Sequence, residues 1–464
     1  MPKAKTHSRS VKTPFPVRSN RPGGVQKSEP SPSPSPLCRT SLLDLPEDII
    51  RLVLEFLPRI TDKVLLACVA PKFRAAFEGW ARVQRNALDM VSLETVPLPQ
   101  LIRFFKVAGP FIRVLQVDCA SYQKESLLVE FVKEYCPNLE EISYSNATDE
   151  FHYRSIMSKM THLKRVTIEC LDAEDVLNFD MQPNQELEFF ELVNGCYTGQ
   201  NLCGFPNLKT LVLRDCLLWN SMEFGIPLKS LHTLDLDDCC FEVMNVSLYQ
   251  KIAESCTNLV ELIFSGCDTN FEVIANLPKL ERCTLKTWMT SNELNIGFLT
   301  VLAEKRGNKL THLHLSGQFN ITNEHARCLG QLSSLTDLRF SNNDILDDDH
   351  FKFFNDLSQL ERFGLTACGR VMDVGMMRML RKCPQLKVID LTDCEQITEE
   401  FVIQAIGFCS KGSGRDVVLN VKGTMIRRPI LTVGKPGREF RKHILTLSYF
   451  AASGLREFLE SSKG

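Results

Sequence analysis

Two histidines set two residues apart, His312 and His314, have spacing that suits chemistry. On an extended strand they point to one side, where with a third ligand they would share a metal ion. No third ligand is evident, so the sequence favours polar residues on a binding surface. Asp344, Asp347, Asp348 and Asp349 crowd one short stretch. A calcium loop needs ligands at fixed steps with a glycine at the turn; this stretch has neither and reads as a solvated loop. The chain holds 18 cysteines but no Cys-x-x-Cys pair, so zinc-ribbon and thioredoxin-type sites have no support. A Gly-rich phosphate loop, a His-Glu-x-x-His run and a nucleophile elbow are all missing from the sequence. The expectation is a non-catalytic protein with no cofactor and no metal. A cysteine-dependent enzyme using His312 or His314 would need a thiol of depressed pKa.

Composition bounds the remaining classes. The chain has 464 residues, 44% hydrophobic and 24% charged, with a net charge of -2. Those values fit a folded chain and give no whole-molecule field toward nucleic acid or a membrane surface. No apolar run is long enough to span a bilayer, and the basic N-terminus lacks the apolar core of a secretory signal. The expected location is the cytosol or nucleus, with no membrane and no nucleic acid as partner. Residues 1–40 are basic and end in Ser31-Pro32-Ser33-Pro34-Ser35-Pro36, which reads as a disordered tail. Its basic residues suit a nuclear import signal and its Ser-Pro steps suit phosphorylation, but a plain solvated tail is the preferred reading.

The elements that position these residues come from a repeat. Over 111–424 the chain repeats Leu-x-x-Leu-x-Leu about twelve times, from Ile112/Leu115/Val117 to Leu386/Ile389/Leu391, at roughly 21 to 30 residues per unit. Each unit buries its ridge only against its neighbours, so the array stacks into a curved solenoid with short parallel strands on its concave face. A final Val418/Leu419/Val421 segment reads as a truncated unit. Cys119, Cys216, Cys239, Cys267, Cys368 and Cys394 follow the last ridge position, where this repeat buries Asn or Cys. Cys136, Cys256 and Cys383 end the intervening helices. These thiols read as structural.

Residues between the ridge positions face the concave surface. Phe189, Arg214, Asp235, Asp237, Lys286, His312, His314, Arg339 and Arg362 are the candidate target-binding residues. Mixed signs favour a protein ligand over nucleic acid, which wants a basic face. Phe189 is an apolar anchor there, or packs on an irregular neighbour. The segment 425–464 is basic and partly apolar and reads as a tail or a cap.

Before the repeat, residues 41–82 pattern as three short helices, and 83–110 as a helical linker and N-terminal cap. Pro46 and two acids open the first helix, and Ile49, Leu52, Val53, Phe56 and Leu57 recur at helical spacing. Val64, Leu65, Cys68 and Val69 share a face of the second helix; Phe73, Phe77 and Trp80 mark the third. So small a unit needs a partner surface, either a docking protein or the repeat itself.

Leu45-Pro46-x-Asp48-Ile49, Val53, Phe56-Leu57-Pro58, Asp62 and the Cys68-Val69 to Phe73 step resemble an F-box. Asp48 replaces the family's common Glu, and Phe73 its common Trp. The periodic cysteines resemble the cysteine-containing subclass of leucine-rich repeats, which commonly follows an F-box. The resemblance implies an α/β chain: a three-helix F-box, then the solenoid. It also implies a substrate receptor of a cullin-RING (SCF-type) ubiquitin ligase, bound to the Skp adaptor and through it to the cullin scaffold. Leu45, Pro46, Ile49, Val53 and Leu57 would make the adaptor contact. The competing expectation is a non-catalytic scaffold or inhibitor unrelated to ubiquitin.

Overall fold

All twelve repeat ridges become strands of one sheet. The computed structural model describes residues 41–426 apart from 85, 120–124, 148–159, 161, 172–183, 198–203, 219–227, 242–245, 266–270, 288–295, 307–308 and 410–416, and also 446–448. The N-terminal tail, Cys267 and most of the C-terminal tail lie outside the described residues.

Three helices come first: α1 (Glu47–Phe56), α2 (Ile60–Ala67) and α3 (Pro71–Ala81). Ile50 and Leu54 of α1, Val64 and Ala67 of α2, and Phe73, Ala76 and Phe77 of α3 form their shared core. The expected packing face of α2 is corrected here. Val64 is buried, but Leu65, Cys68 and Val69 are exposed, because Ala67 takes the inward position.

The stretch 83–110 also departs from the helical linker expected of it. It opens with a strand, β1 (Asn86–Asp89), and only then forms helix α4 (Leu98–Ala108). Four residues are too few to show the repeat motif, yet Asn86 and Leu88 are buried and β1 pairs in parallel with β2 (Ile112–Asp118). Helix α2 packs on α4, which ties the helical block to the repeat.

The sheet continues through β3 (Glu141–Ala147), β4 (Arg165–Cys170), β5 (Phe189–Val193), β6 (Thr210–Arg214), β7 (Thr233–Leu236) and β8 (Glu261–Ser265). It goes on with β9 (Arg282–Lys286), β10 (His312–Ser316), β11 (Asp337–Ser341), β12 (Arg362–Thr366) and β13 (Val388–Asp390). β14 (Val418–Asn420) is the truncated unit, and β15 (Thr446–Ser448) comes from the tail. The 15 strands follow chain order, each parallel to the next. Helices on the other side include α5 (Glu125–Tyr135), α6 (Val246–Ser255), α7 (Ile296–Arg306), α8 (Asn323–Gly330), α9 (Asp373–Lys382) and α10 (Glu399–Phe408).

Ridge residues fill the space between strands and helices. The triplets Leu211/Leu213/Leu208 and Leu335/Leu338/Phe340 are at most 1% exposed. Burying one such side chain contributes about 1.5–3 kcal/mol, so each repeat depends on its neighbours for most of its stability. After each strand the chain must turn toward the helical side. Asn146, Asn194, Asp215, Asp238, Asn342 and Asp393 make that turn with φ between 51° and 57°. Asn and Asp tolerate this left-handed region better than other side chains. Ala367 makes the same turn at φ 50° without that help.

Candidate binding surfaces

Helix α1 has apolar residues on two faces. Ile50 and Leu54 point into the core at 1% and 0% exposure. Ile49, Leu52, Val53 and Phe56, at the spacing read from the sequence, are exposed, and Phe56 is 80% exposed. Leu42 and Leu43, in the short helical turn before α1, and Leu65 and Val69, around α2, are also exposed. So many uncovered large apolar side chains on one small helical unit mark an interaction surface. Of the five residues assigned to adaptor contact, Pro46, Ile49 and Val53 are exposed, whereas Leu45 and Leu57 are partly buried and pack against the core. Sequence reasoning missed Leu42, Leu43 and the outward role of Leu65 and Val69. A helix with apolar residues on both faces was the available signal for α1.

Lys63 fixes the geometry beneath this surface. Its ammonium donates to the Leu54 carbonyl at the end of α1 and sits 4.5 Å from the Trp80 ring centre. A cation there complements the negative helix end. Burial lowers the Lys63 pKa, against the opposing pull of Glu55.

The concave floor is built from the residues between ridges. Its carboxylates over β2 to β8 are Asp118, Glu141, Glu169, Glu191, Asp235, Asp237 and Glu261, and its cations there are Arg165 and Arg214. Arg214 donates through Nη2 to Asp235 at 2.6 Å and lies 3.6 Å from Glu191. Asp235 is 2% exposed, and burial raises its pKa against the pull of Arg214. Lys286 pairs with Asp237, which also accepts from the Ser265 hydroxyl at 2.8 Å. Arg339 holds Asp337 with two hydrogen bonds, 2.8 and 2.7 Å, and Arg362 lies 3.9 Å from the same carboxylate. Phe189 is half-buried with the Arg165 guanidinium 3.5 Å above its ring centre.

The structure thus brings Arg214, Asp235, Asp237 and Lys286 into one ionic network. It places His312, His314, Arg339 and Arg362 side by side on the next strands, and sets Phe189 apart on β5. His314 Nε2 contacts the Ser341 hydroxyl at 2.9 Å, and His312 Nδ1 the Thr311 hydroxyl at 2.8 Å. Among the described residues, no group of three or more His, Cys, Asp or Glu side chains is arranged to hold a metal.

Of the aspartates at 344–349 read as a solvated loop, Asp344 and Asp349 are exposed, but Asp344 and Asp348 are also tied to the next repeat. Asp348 accepts from the backbone N–H groups of Met372 and Gly375, both at 2.9 Å, at the start of α9 in the next repeat. Asp344 accepts from Gly369 N–H at 3.2 Å. Their partners lie 24 to 27 residues ahead, so local spacing could not reveal them.

The cysteines serve the same inter-repeat role. Cys239 donates to the Leu213 carbonyl at 3.1 Å and Cys394 to the Leu365 carbonyl at 3.4 Å, each on the preceding strand. Burial pushes Cys136, Cys256 and Cys394 up to about 12 and Cys368 to about 11. Cys216 is drawn down by its hydrogen bond with the Cys239 thiol. At 1% exposure, and donating to the Leu192 and Arg214 carbonyls, it is a buried donor and no substrate reaches it.

Comparison with known proteins gives the helical block its family. The F-box domain matches residues 42–79. F-box/LRR-repeat protein 4 of Bos taurus is 28% identical over 196 residues, covering 38% of this chain and 30% of that protein. A Caenorhabditis elegans protein named as a putative RNA-binding protein is 22% identical over 426 residues, 83% of this chain and 54% of that one. The chain therefore spans 30% of the length of the first of these curated relatives and 54% of the second. Among solved structures, yeast Rad7 in complex with Elc1 is similar at a TM-score of 0.39 and 14% identity, covering 88% of this chain and 94% of that one. The TLR13–ssRNA13 complex gives a TM-score of 0.45 at 17% identity, covering 75% and 52%.

Proposed function

We propose that this chain, an F-box domain joined to a leucine-rich-repeat solenoid, is the substrate-recognition subunit of an SCF-type ubiquitin ligase. The observation that carries the reading is the uncovered apolar face of the F-box. Ile49, Leu52, Val53 and Phe56 stand out from a helix whose core side is already filled by Ile50 and Leu54. A surface of this kind binds the Skp adaptor, and the adaptor joins the cullin scaffold that carries the ubiquitin-transfer machinery. The concave floor, with its unlike charges and hydroxyls, holds the protein target.

Such a subunit acts without catalytic residues of its own. It raises the local concentration of one target beside the activated ubiquitin, replacing a chance encounter with a held one. The work is done in the cytosol or nucleus, which suits the free thiols that hydrogen-bond backbone carbonyls between repeats.

Co-expression tests the reading. The wild-type chain should co-purify with a Skp adaptor and a cullin. Leu52→Asp with Phe56→Asp should abolish both, while the chain stays folded, since both side chains are exposed. Leu45→Ala with Pro46→Ala should weaken capture. Undiminished capture by the Asp double variant would sink the docking assignment and favour a free-standing scaffold.

A further inference from the structure

Helices α8, α9 and α10 overlay position by position, each starting just after Thr322, Met372 and Thr398. The fifth residue of each helix faces the repeat that comes next. In α8 it is Arg327, whose guanidinium lies 5.2 Å from the ring centre of Phe353 in the following repeat. In α9 it is Met377, only 3% exposed, with α10 packed alongside. The eighth residue shares this flank. An added Cβ at Gly330 would strike the Phe353 carbonyl, and Leu380 is fully buried.

In α10 the same two positions are Ile403, 50% exposed, and Ile406, half-buried. Met425 donates its N–H to the Ile397 carbonyl just before α10, and its side chain is 52% exposed. The forward flank of α10 is thus apolar and uncovered among the described residues. An open solenoid end of this kind needs a cover. Its charge has one sign. Glu395 and Glu400 are exposed and Glu399 is half-buried, and none of the three makes an ion pair among the described residues. From Val388 to Cys409 the sequence holds no lysine or arginine.

Topology says which segment lies nearest. Residues 427–445 are outside the described residues, but the chain on either side of them is fixed. Met425 is held at Ile397, and β15 lies parallel to β14 with Thr446 in register with Val418. Between parallel strands the chain must return along the sheet as a crossover. Earlier crossovers return on the helical side, where the next free position is the flank of α10. The sequence of this segment matches that flank twice. Arg427, Arg428, Lys435, Arg438, Arg441 and Lys442 face one acid, Glu439, and Ile430, Leu431 and Val433 form an apolar run broken only by Thr432.

We infer that residues 427–445 dock on the forward flank of α10. Ile430, Leu431 and Val433 cover Ile403, Ile406 and Met425, and Arg427 and Arg428 pair with Glu399 and Glu400. Arg427 is two residues beyond Met425, so the Met425–Ile397 hydrogen bond brings it beside Glu399. A second copy of the chain fits worse, because a two-fold contact would set one acidic flank against another.

Photocrosslinking in the full chain tests this. With p-benzoylphenylalanine incorporated at position 403, illumination followed by digestion and mass spectrometry should map adducts within 427–445, on a species of monomer mass. Arg427→Glu with Arg428→Glu should lower the yield several-fold. Adding Glu399→Lys with Glu400→Lys should restore it, with unchanged circular dichroism throughout. A cross-linked dimer, adducts confined to 449–464, no adduct at all, or a yield indifferent to the charge reversals would overturn the inference.

Discussion

His314 sits at the middle of the concave floor, and its surroundings oppose a positive charge there. Burial first, then Arg339 and Lys286, push its pKa down to about 4. The unfolded chain takes up that proton near 6.5, the folded chain only near 4. The folded state therefore binds fewer protons, and stability falls as pH drops through that window. His314→Asn should flatten the fall, seen as a smaller difference in melting temperature between pH 6.5 and 4.5. Arg214 and Asp235 give the converse case. Truncation of Arg214 to Ala leaves a carboxylate whose side chain is 3% exposed without its cation, at a cost of about 2 kcal/mol. Asp235 has a raised pKa, so its burial destabilises the fold increasingly as pH climbs above the ordinary carboxyl range. The Arg214→Ala deficit should accordingly be larger at pH 7 than at pH 4 in chemical denaturation. Residue types on the floor were legible from alternation along each strand. Their partners were not, because Arg214 and Asp235 are 21 residues apart, and Lys286 reaches 49 residues back to Asp237.

The repeat unit is where the sequence speaks most plainly. Every Leu-x-x-Leu-x-Leu ridge from Ile112 to Leu391 lies on β2 to β13 or at its flank, because three apolar positions at fixed spacing can be buried only as a strand stacked on its neighbours. β1 and β15 escaped notice for the same reason in reverse. Asn86–Asp89 and Thr446–Ser448 are too short to hold the motif, and only pairing with β2 and β14 makes them strands. The first helix was legible as amphipathic, but both Ile49/Val53 and Ile50/Leu54 satisfy the period. Which pair lies inside depends on α3, a tertiary fact. The turn after each strand offers a test of the element itself. Ala367, at φ 50°, occupies a place where six other repeats use Asn or Asp. Ala367→Asn should raise stability by about 0.5–1 kcal/mol, measured as a higher denaturation midpoint with an unchanged slope. No gain would mean that the turn is not strained there.

At the scale of the molecule, the two ends of the solenoid are treated differently. The C-terminal edge receives β15, with Leu447 in register with Leu419. The N-terminal edge receives β1 and the helical block, with α2 packed on α4. That block still leaves Phe56 80% exposed, which a cap serving only the repeat would have no reason to do. The exposed face of α1 is thus the point on which the account turns. Titration calorimetry of the purified chain with a purified Skp adaptor measures it directly. The account predicts saturable one-to-one binding with a negative heat-capacity change from apolar burial, lost in the Leu52→Asp/Phe56→Asp variant at unchanged circular dichroism. Absence of binding by the wild-type chain, or equal binding by the variant, would contradict it.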